Sequence, residues 1–415
     1  MRKSCRNPVR TPSLGAAVGD RSIGRTSGFG PDNGGSSPPP RTVSIDRELM
    51  TEPVRTCSAM VLAAGRGTRM RSSRPKPAHL LCGRPMVGYV LGALRGLPLD
   101  RAVVVVGHGA ELVTQVLTAH RPPGIDVDVV EQRSQKGTGH AVIVGLSAFD
   151  ELELDDEDAD LIVVPGDTPL LEADTLAALH RVHVAENAGA TLLTARVADP
   201  TGYGRIVRSG DGRVERIVEH VDAGPEELQI DEVNTSVYCF RRSLLPAALR
   251  KVDGINAQGE VYLTDVIEVL RSTGYPVIPV VADDPAETMG VNDRQQLAVC
   301  EAALRERTNR RWMAEGVTML DPSSSYIDTT VELAPDVTIF PNTLLQGACV
   351  VGEGAEVGPD VRLINTTVGP RTRLQSTSAT GAQVGPDCMV GPFAVLGPGS
   401  ELAAGTVTGP FFSSS

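Results

Sequence analysis

Leu333, Ile339, Leu345, Val351, Val357 and Leu363 stand six residues apart, and Val384, Val390, Leu396 and Leu402 repeat that spacing further on. A period of six fits neither an α-helix, whose buried positions return every three to four residues, nor a strand that simply alternates. It arises when each hexapeptide forms one flat side of a coil, with its aliphatic residue pointing inward and a corner before the next side. Stacked coils bury a continuous core, so the pattern predicts a parallel β-helix. Gly352, Gly358, Gly385 and Gly391 each follow the aliphatic residue and suit the corners. The step from Leu363 to Val384 breaks the phase, which predicts an inserted loop or a bulge there. The spacing amounts to roughly four or five coils.

From Cys57 to about Ala286 the rhythm differs. Ser58-Ala59-Met60-Val61-Leu62, Ala102-Val103-Val104-Val105-Val106-Gly107 and Leu161-Ile162-Val163-Val164-Pro165-Gly166 are short apolar runs that close on glycine-containing loops. Such runs read as fully buried parallel strands. Helical stretches lie between them, as at residues 85–94 and 175–186. Strand–helix alternation predicts a doubly wound, Rossmann-like α/β sheet. Ligands of such sheets sit beyond the carboxyl ends of the strands, so the three loops face one rim. Residues 293–315 read as one long connecting helix, with Leu297, Cys300, Leu304 and Trp312 buried and Gly316 ending it. A chain of 415 residues is too long for one core. The expected division is a tail over 1–56, the α/β domain over 57–291, a linker helix and connection over 292–324, and the β-helix over 325–415.

The first 56 residues are rich in Arg, Gly, Ser and Pro, as at Gly34-Gly35-Ser36-Ser37-Pro38-Pro39-Pro40. They hold no apolar stretch of the kind a secretory signal needs and predict a disordered tail, with Met50 as an alternative start. The net charge of −12 argues against a general nucleic-acid binder. Seven cysteines, from Cys5 to Cys388, are widely spaced without a CxxC, which predicts reduced structural thiols in a cytoplasmic protein. No run of 18 apolar residues offers a membrane span.

The chemistry concentrates after the first strand. In Leu62-Ala63-Ala64-Gly65-Arg66-Gly67-Thr68-Arg69-Met70 the glycines let backbone N–H groups approach a ligand closely. Arg69 and Lys76 add fixed positive charge, with Pro75 stiffening the approach. A triphosphate needs both features, since its charge must be bound and the leaving pyrophosphate stabilised. The loop lacks the Gly-Lys-Ser/Thr ending of a P-loop and is not a full dinucleotide fingerprint. Asp167 closes a strand end, where a hard oxygen ligand is commonly placed. Asn292, read alone, is a helix N-cap, and Glu219 alone is a solvated charge. His79 and His140 read as structural or supporting residues.

The loop resembles the signature of sugar-nucleotide pyrophosphorylases, Leu-x-x-Gly-x-Gly-Thr-Arg-Met followed by Pro-Lys. Five further segments follow in order: Gln135-Lys136-Gly137-Thr138-Gly139-His140-Ala141, Gly202-Tyr203-Gly204-Arg205-Ile206-Val207, Val233-Asn234-Thr235, Asn256-Ala257-Gln258-Gly259-Glu260 and Gly290-Val291-Asn292. Together they resemble the bifunctional N-acetylglucosamine-1-phosphate uridylyltransferase/glucosamine-1-phosphate acetyltransferase (GlmU) family over roughly residues 57–410. That resemblance implies a left-handed parallel β-helix. It also implies that UTP and N-acetylglucosamine 1-phosphate are joined to UDP-N-acetylglucosamine for cell-envelope precursors. It assigns uracil recognition to the backbone from Leu62 and Ala63 through Ala64 to Gly65, with Gln132, Gly137 and Thr138. Phosphates fall to Arg69 and Lys76, and Mg²⁺ to Asp167, in Pro165-Gly166-Asp167, with Asn292. The sugar falls to Gly204, Glu219 and Asn234.

The second half departs from the family. Its acetyltransferase site needs an Arg in a Leu-Arg-Pro-Gly context, a Lys in the following coil and a later His, and its β-helix forms a homotrimer. Here the segment reads Leu396-Gly397-Pro398-Gly399, and no His follows His220. The expectation is a truncated β-helix without acetyl transfer. Phe411-Phe412 stand as either a cap or an exposed pair, Ser413 to Ser415 as a frayed end, and trimerisation stays open. The alternatives are a nucleotidyltransferase for another sugar 1-phosphate and a non-catalytic β-helix scaffold. Intact Arg69, Lys76, Asp167 and Asn292 speak against the scaffold.

Overall fold

The computed structural model describes residues 55, 57–121, 123–156, 159–252, 256 and 258–414. The expected tail except Arg55, the alternative start at Met50, Cys5 and Ala257 of the Asn256–Glu260 motif lie outside the described residues.

Nine strands form the central sheet: β1 (Cys57–Ala63), β2 (Leu99–Val106), β3 (Val127–Glu131), β4 (Asp160–Pro165), β5 (Ala190–Arg196), β6 (Arg205–Arg208), β7 (Val214–Val218), β8 (Glu232–Arg241) and β9 (Val277–Val281). Their order is β9-β5-β8-β4-β1-β2-β3, with β6 and β7 attached through β8. The three apolar runs read from the sequence are β1, β2 and β4, adjacent and parallel, with Met60 opposite both Val103 and Val163. The sheet as a whole is mixed, because β8 runs antiparallel to both of its neighbours, β4 and β5.

The unbroken apolar runs have a physical cause. Ala59, Val61, Val104 and Val106 face one core, while Met60, Val103, Val105 and Val163 face another on the opposite side. Successive strand residues point to opposite faces, so a strand covered on both sides cannot alternate with polar residues. The chain moves outward from β1 through β2 to β3, then returns to lay β4 on the other side of β1. The loops after β1 and β4 therefore diverge, leaving a crevice beyond their carboxyl ends.

Eight helices are described: α1 (Met86–Ala93), α2 (Ala110–Ala119), α3 (Thr138–Leu146), α4 (Glu151–Asp155), α5 (Ala173–Ala185), α6 (Leu245–Leu249), α7 (Asp265–Ser272) and α8 (Arg294–Ala314). The predicted long helix is α8. Gly316, at φ +97°, ends it in the left-handed region that a side chain disfavours. Cys300 and Leu304 pack with Met70, Leu81 and Met86 of the α/β half, whereas Trp312 belongs to the core of the β-helix. Leu297 is only partly buried.

Three parallel sheets form the sides of the β-helix. Ile327, Leu345, Leu363, Ala379 and Leu396 stack along one side. Ile339, Val357, Leu374 and Val390 stack along the second, and Leu333, Val351, Val368, Val384 and Leu402 along the third. Every aliphatic residue of the two six-residue series is buried. The corners after them are tight. A Cβ on Gly352 would lie 2.7 Å from the Pro370 nitrogen of the next coil, and one on Gly385 2.8 Å from the Ala404 nitrogen.

Two expectations need correction. No loop or bulge interrupts the coil between Leu363 and Val384. The inward residues continue as Val368, Leu374 and Ala379, so three sides are one residue shorter than the rest. Ser413–Ser414 are not frayed but pair in parallel with Val395–Leu396. The Phe411-Phe412 pair divides its roles: Phe412 packs against the coil's core, while Phe411 is 75% exposed and stacks on Phe393 at 5.2 Å. The six cysteines among the described residues are buried.

Candidate functional site

A cavity of about 540 Å³ opens where β1 and β4 end. Leu62, Ala63, Ala64 and Gly65 form its floor, continuing directly from β1. A Cβ on Gly65 would meet no protein atom within 4 Å, so its free face is open to a ligand. Gly67, at φ +59°, turns the chain into a short 3-10 helix, Thr68–Met70, and a Cβ there would lie 2.9 Å from the Lys76 Cβ. This glycine brings Arg69 and Lys76 to the same side. Gln135 donates through Nε2 to the Ala64 carbonyl at 2.6 Å and braces the floor.

The β4 end supplies Pro165, Gly166 and Asp167. The Gly166 N–H donates to Leu62 O at 2.9 Å, which ties the two strand ends together. Asp167 receives the Lys76 ammonium on Oδ2. Asn292 reaches the same point from the segment before α8. Its Oδ1 accepts from Arg69 Nη2 at 2.9 Å and from Lys76 Nζ at 3.4 Å. The sequence reading of Asn292 as the cap of α8 is corrected here. Asp293 performs that task, accepting from the Gln295 and Gln296 N–H groups at 2.9 and 2.8 Å. Asn292 is instead held by its own N–H donating to Gln296 Oε1 at 2.7 Å, which leaves its amide side chain for the cavity.

Along the next wall lie Gln132, Gly137 and Thr138. Gly137 has φ +99°, and a Cβ would stand 2.4 Å from the Val261 carbonyl, so only glycine fits this close approach. Thr138 starts α3, and its hydroxyl accepts from the Leu263 N–H at 3.0 Å.

Gly204, Glu219 and Asn234 complete the far wall. The Asn234 N–H donates to Gly204 O at 2.9 Å. The Asn234 side chain pairs with the buried Tyr238 hydroxyl, Nδ2 lying 2.8 Å from it. Glu219 is half-buried rather than a solvated charge. Thr264 donates to its Oε1 at 3.3 Å, and burial pushes its carboxyl pKa above the usual range despite that bond.

Every candidate named from the sequence lines this one cavity. Gln296 and Tyr238 were missed, because each is defined by a tertiary contact to a motif residue rather than by a motif, and Gln135 stood in a motif without a role until its contact with Ala64 assigned one. His79 is buried outside the cavity near Arg294, and His140 contacts Gln132 from behind.

A second ionisable group lies at the opposite end of β4. Asp160, His183 and Cys239 bring ligand-type atoms within 4.8 Å of one another, fully buried. Six strand residues, roughly 20 Å of extended chain, separate Asp160 from the cavity rim. Its carboxylate already faces Arg55 at 3.5 Å, His180 at 3.1 Å and His183 at 3.4 Å. This is a buried charge network of the core.

The MobA-like NTP transferase domain family matches residues 59–319. Proteins named bifunctional protein GlmU are similar over most of the chain. That of Streptomyces avermitilis is 46% identical over 359 residues, covering 86% of this chain and 73% of the relative. The Mycolicibacterium vanbaalenii protein is 45% identical over 359 residues, covering 86% and 72%. The Heliobacterium modesticaldum protein is 42% identical over 354 residues, covering 85% and 75%.

Proposed function

Because this chain belongs to the bifunctional GlmU family, we propose that the cavity at the ends of β1 and β4 is where UTP and N-acetylglucosamine 1-phosphate become UDP-N-acetylglucosamine and pyrophosphate. The enzyme is a UDP-N-acetylglucosamine pyrophosphorylase. The observation that supports the site assignment is the convergence of Asp167, Asn292, Lys76 and Arg69 on one point. That point lies in the cavity lined by the Leu62–Gly65 loop and the Gln132–Thr138 wall.

In this reading residues 57–291 are the nucleotidyltransferase domain, residues 292–324 its connection and residues 325–415 the β-helix, in a cytoplasmic protein. The sugar phosphate oxygen attacks the α-phosphorus of UTP in line, and the bond to the bridging oxygen of pyrophosphate breaks. The attacker is already an anion, so no general base is required. The protein contributes position and charge. Arg69 and Lys76 hold phosphate oxygens, Gln132, Gly137 and Thr138 hold the uracil, and Gly204, Glu219 and Asn234 hold the sugar. Asp167 and Asn292 would hold Mg²⁺. Both offer hard oxygens, and the Lys76 ammonium between them marks a place that receives a cation. When bound, the ion neutralises charge on the reacting phosphates.

The test is pyrophosphate release from UTP with a panel of sugar 1-phosphates. N-acetylglucosamine 1-phosphate should be turned over well ahead of the others. Equal turnover of an unrelated sugar 1-phosphate, or none with any, removes the assignment.

The β-helix is proposed to do less and to assemble. Gly397 stands where the family's acetyltransferase site needs Arg, so this chain should release no CoA from acetyl-CoA with glucosamine 1-phosphate; release above background overturns that expectation. Phe393, Val395, Val407 and Phe411 are apolar and more than half exposed on the coil, as an interface between copies requires. Light scattering should give three times the chain mass, and a monomer mass would rule the trimer out.

A further inference from the structure

Gln132 is 4% exposed, and both hydrogens of its side-chain amide are committed. Nε2 lies 3.3 Å from the Gly137 carbonyl and 2.9 Å from His140 Nδ1. A carbonyl can only accept, so that end of the amide must be the NH₂ group. His140 Nδ1 is then the unprotonated, accepting nitrogen of its ring. Oε1 is left as the end of the amide that a ligand can meet, and Gln132 lines the cavity while His140 does not.

Beside it, α3 begins at Thr138 with no capping side chain on Gly137, and a helix N-terminus favours an acceptor on a ligand. The Gly139 N–H is taken by the Val261 carbonyl at 2.8 Å, so the wall pairs an acceptor with the helix start at Thr138. The imide edge of uracil, an N–H next to a carbonyl, matches this pair. Cytosine presents the reverse, a ring acceptor next to an amino group, and mismatches both.

We propose that His140 is a positioning residue that locks the Gln132 amide in the orientation selecting a uracil over a cytosine nucleotide. The proposal rests on the uridylyltransferase reading above and adds to it the origin of pyrimidine choice.

The experiment compares UTP and CTP, by direct calorimetric binding and by steady-state turnover, in the wild-type chain, His140→Ala and His140→Asn. A misdirected amide should raise KM for UTP about tenfold in His140→Ala, with kcat within about twofold. The preference for UTP over CTP should narrow by about the same factor. Asn places an acceptor oxygen where Nδ1 stood, so His140→Asn should recover most of both. His140→Phe keeps ring bulk without an acceptor; it replaces the alanine variant should that one not fold, with the same expected loss. A folded Ala or Phe variant with unchanged preference overturns the proposal, as does an Asn variant no better than Ala, or a loss confined to kcat. A wild-type chain that neither binds nor turns over UTP sinks the underlying activity instead, so the two failures are told apart.

Discussion

Lys76→Ala should lower UTP-dependent pyrophosphate release by about 10²- to 10³-fold, the usual cost of losing one preorganised charge donor. Arg69→Ala should follow in the same range. Lys76 touches both Asp167 and Asn292, and its Cβ is what Gly67 makes room for. Its loss removes positive charge from the point where the proposed reaction needs charge neutralised and leaves the sheet intact. The thermal midpoint should therefore stay near that of the wild type while turnover collapses. Rates like those of the wild type in both variants would remove Arg69 and Lys76 from the catalytic set.

The second large effect falls on stability, at Asp160. This carboxylate is fully buried, with His180 and Arg55 turned toward it. Removing one member of such a network leaves its partners buried without their counter-charge, at a cost of about 3–5 kcal/mol. Asp160→Ala should show this loss in denaturant unfolding. Asp160→Asn, which keeps an acceptor oxygen, should lose less. Burial alone would raise the Asp160 pKa, but the bond from His180 and the close approach of His183 outweigh it and hold the carboxyl below its ordinary value of 3.8. A depressed carboxyl stabilises the fold fully above its unfolded pKa and loses that contribution as the pH falls through its folded one. Wild-type stability should thus decline below pH 3.8 by an amount that Asp160→Ala has already lost at neutral pH. An alanine variant as stable as the wild type would show the network to be worth nothing.

Asp160 also marks where sequence reading stops. The apolar runs of β1, β2 and β4, the long helix and the six-residue series were legible because each is a local period imposed by a face that must be buried. The site was legible for another reason: its residues sit in short motifs whose order matches a family. What escaped was set by tertiary contact. His180 and His183 lie three apart on α5, a spacing that signals a shared face, but nothing in the chain names Asp160 as what they face. Asn292 looked like a cap because Asn caps helices well, and only the structure gives that task to Asp293. Between Leu363 and Val384 the core residue of one side is Ala379, too small to stand out among surrounding small residues. The shortened sides therefore read as an interruption.

Trp312 is the only tryptophan in the chain. It sits 7% exposed at the first turn of the coil, at the end of a helix whose other end packs on the α/β half. Intrinsic indole emission is therefore a local reporter of the β-helix alone, whereas far-UV dichroism sees the whole molecule. A lesion at Asp160 can reach that reporter through α8 or through Thr329, whose N–H donates to Cys82 O at 3.1 Å and whose hydroxyl lies 3.1 Å from that of Tyr89. Coincident midpoints of emission and dichroism in Asp160→Ala would mean that these contacts couple the melting of the two cores, and separated midpoints that the coil survives the loss of its neighbour.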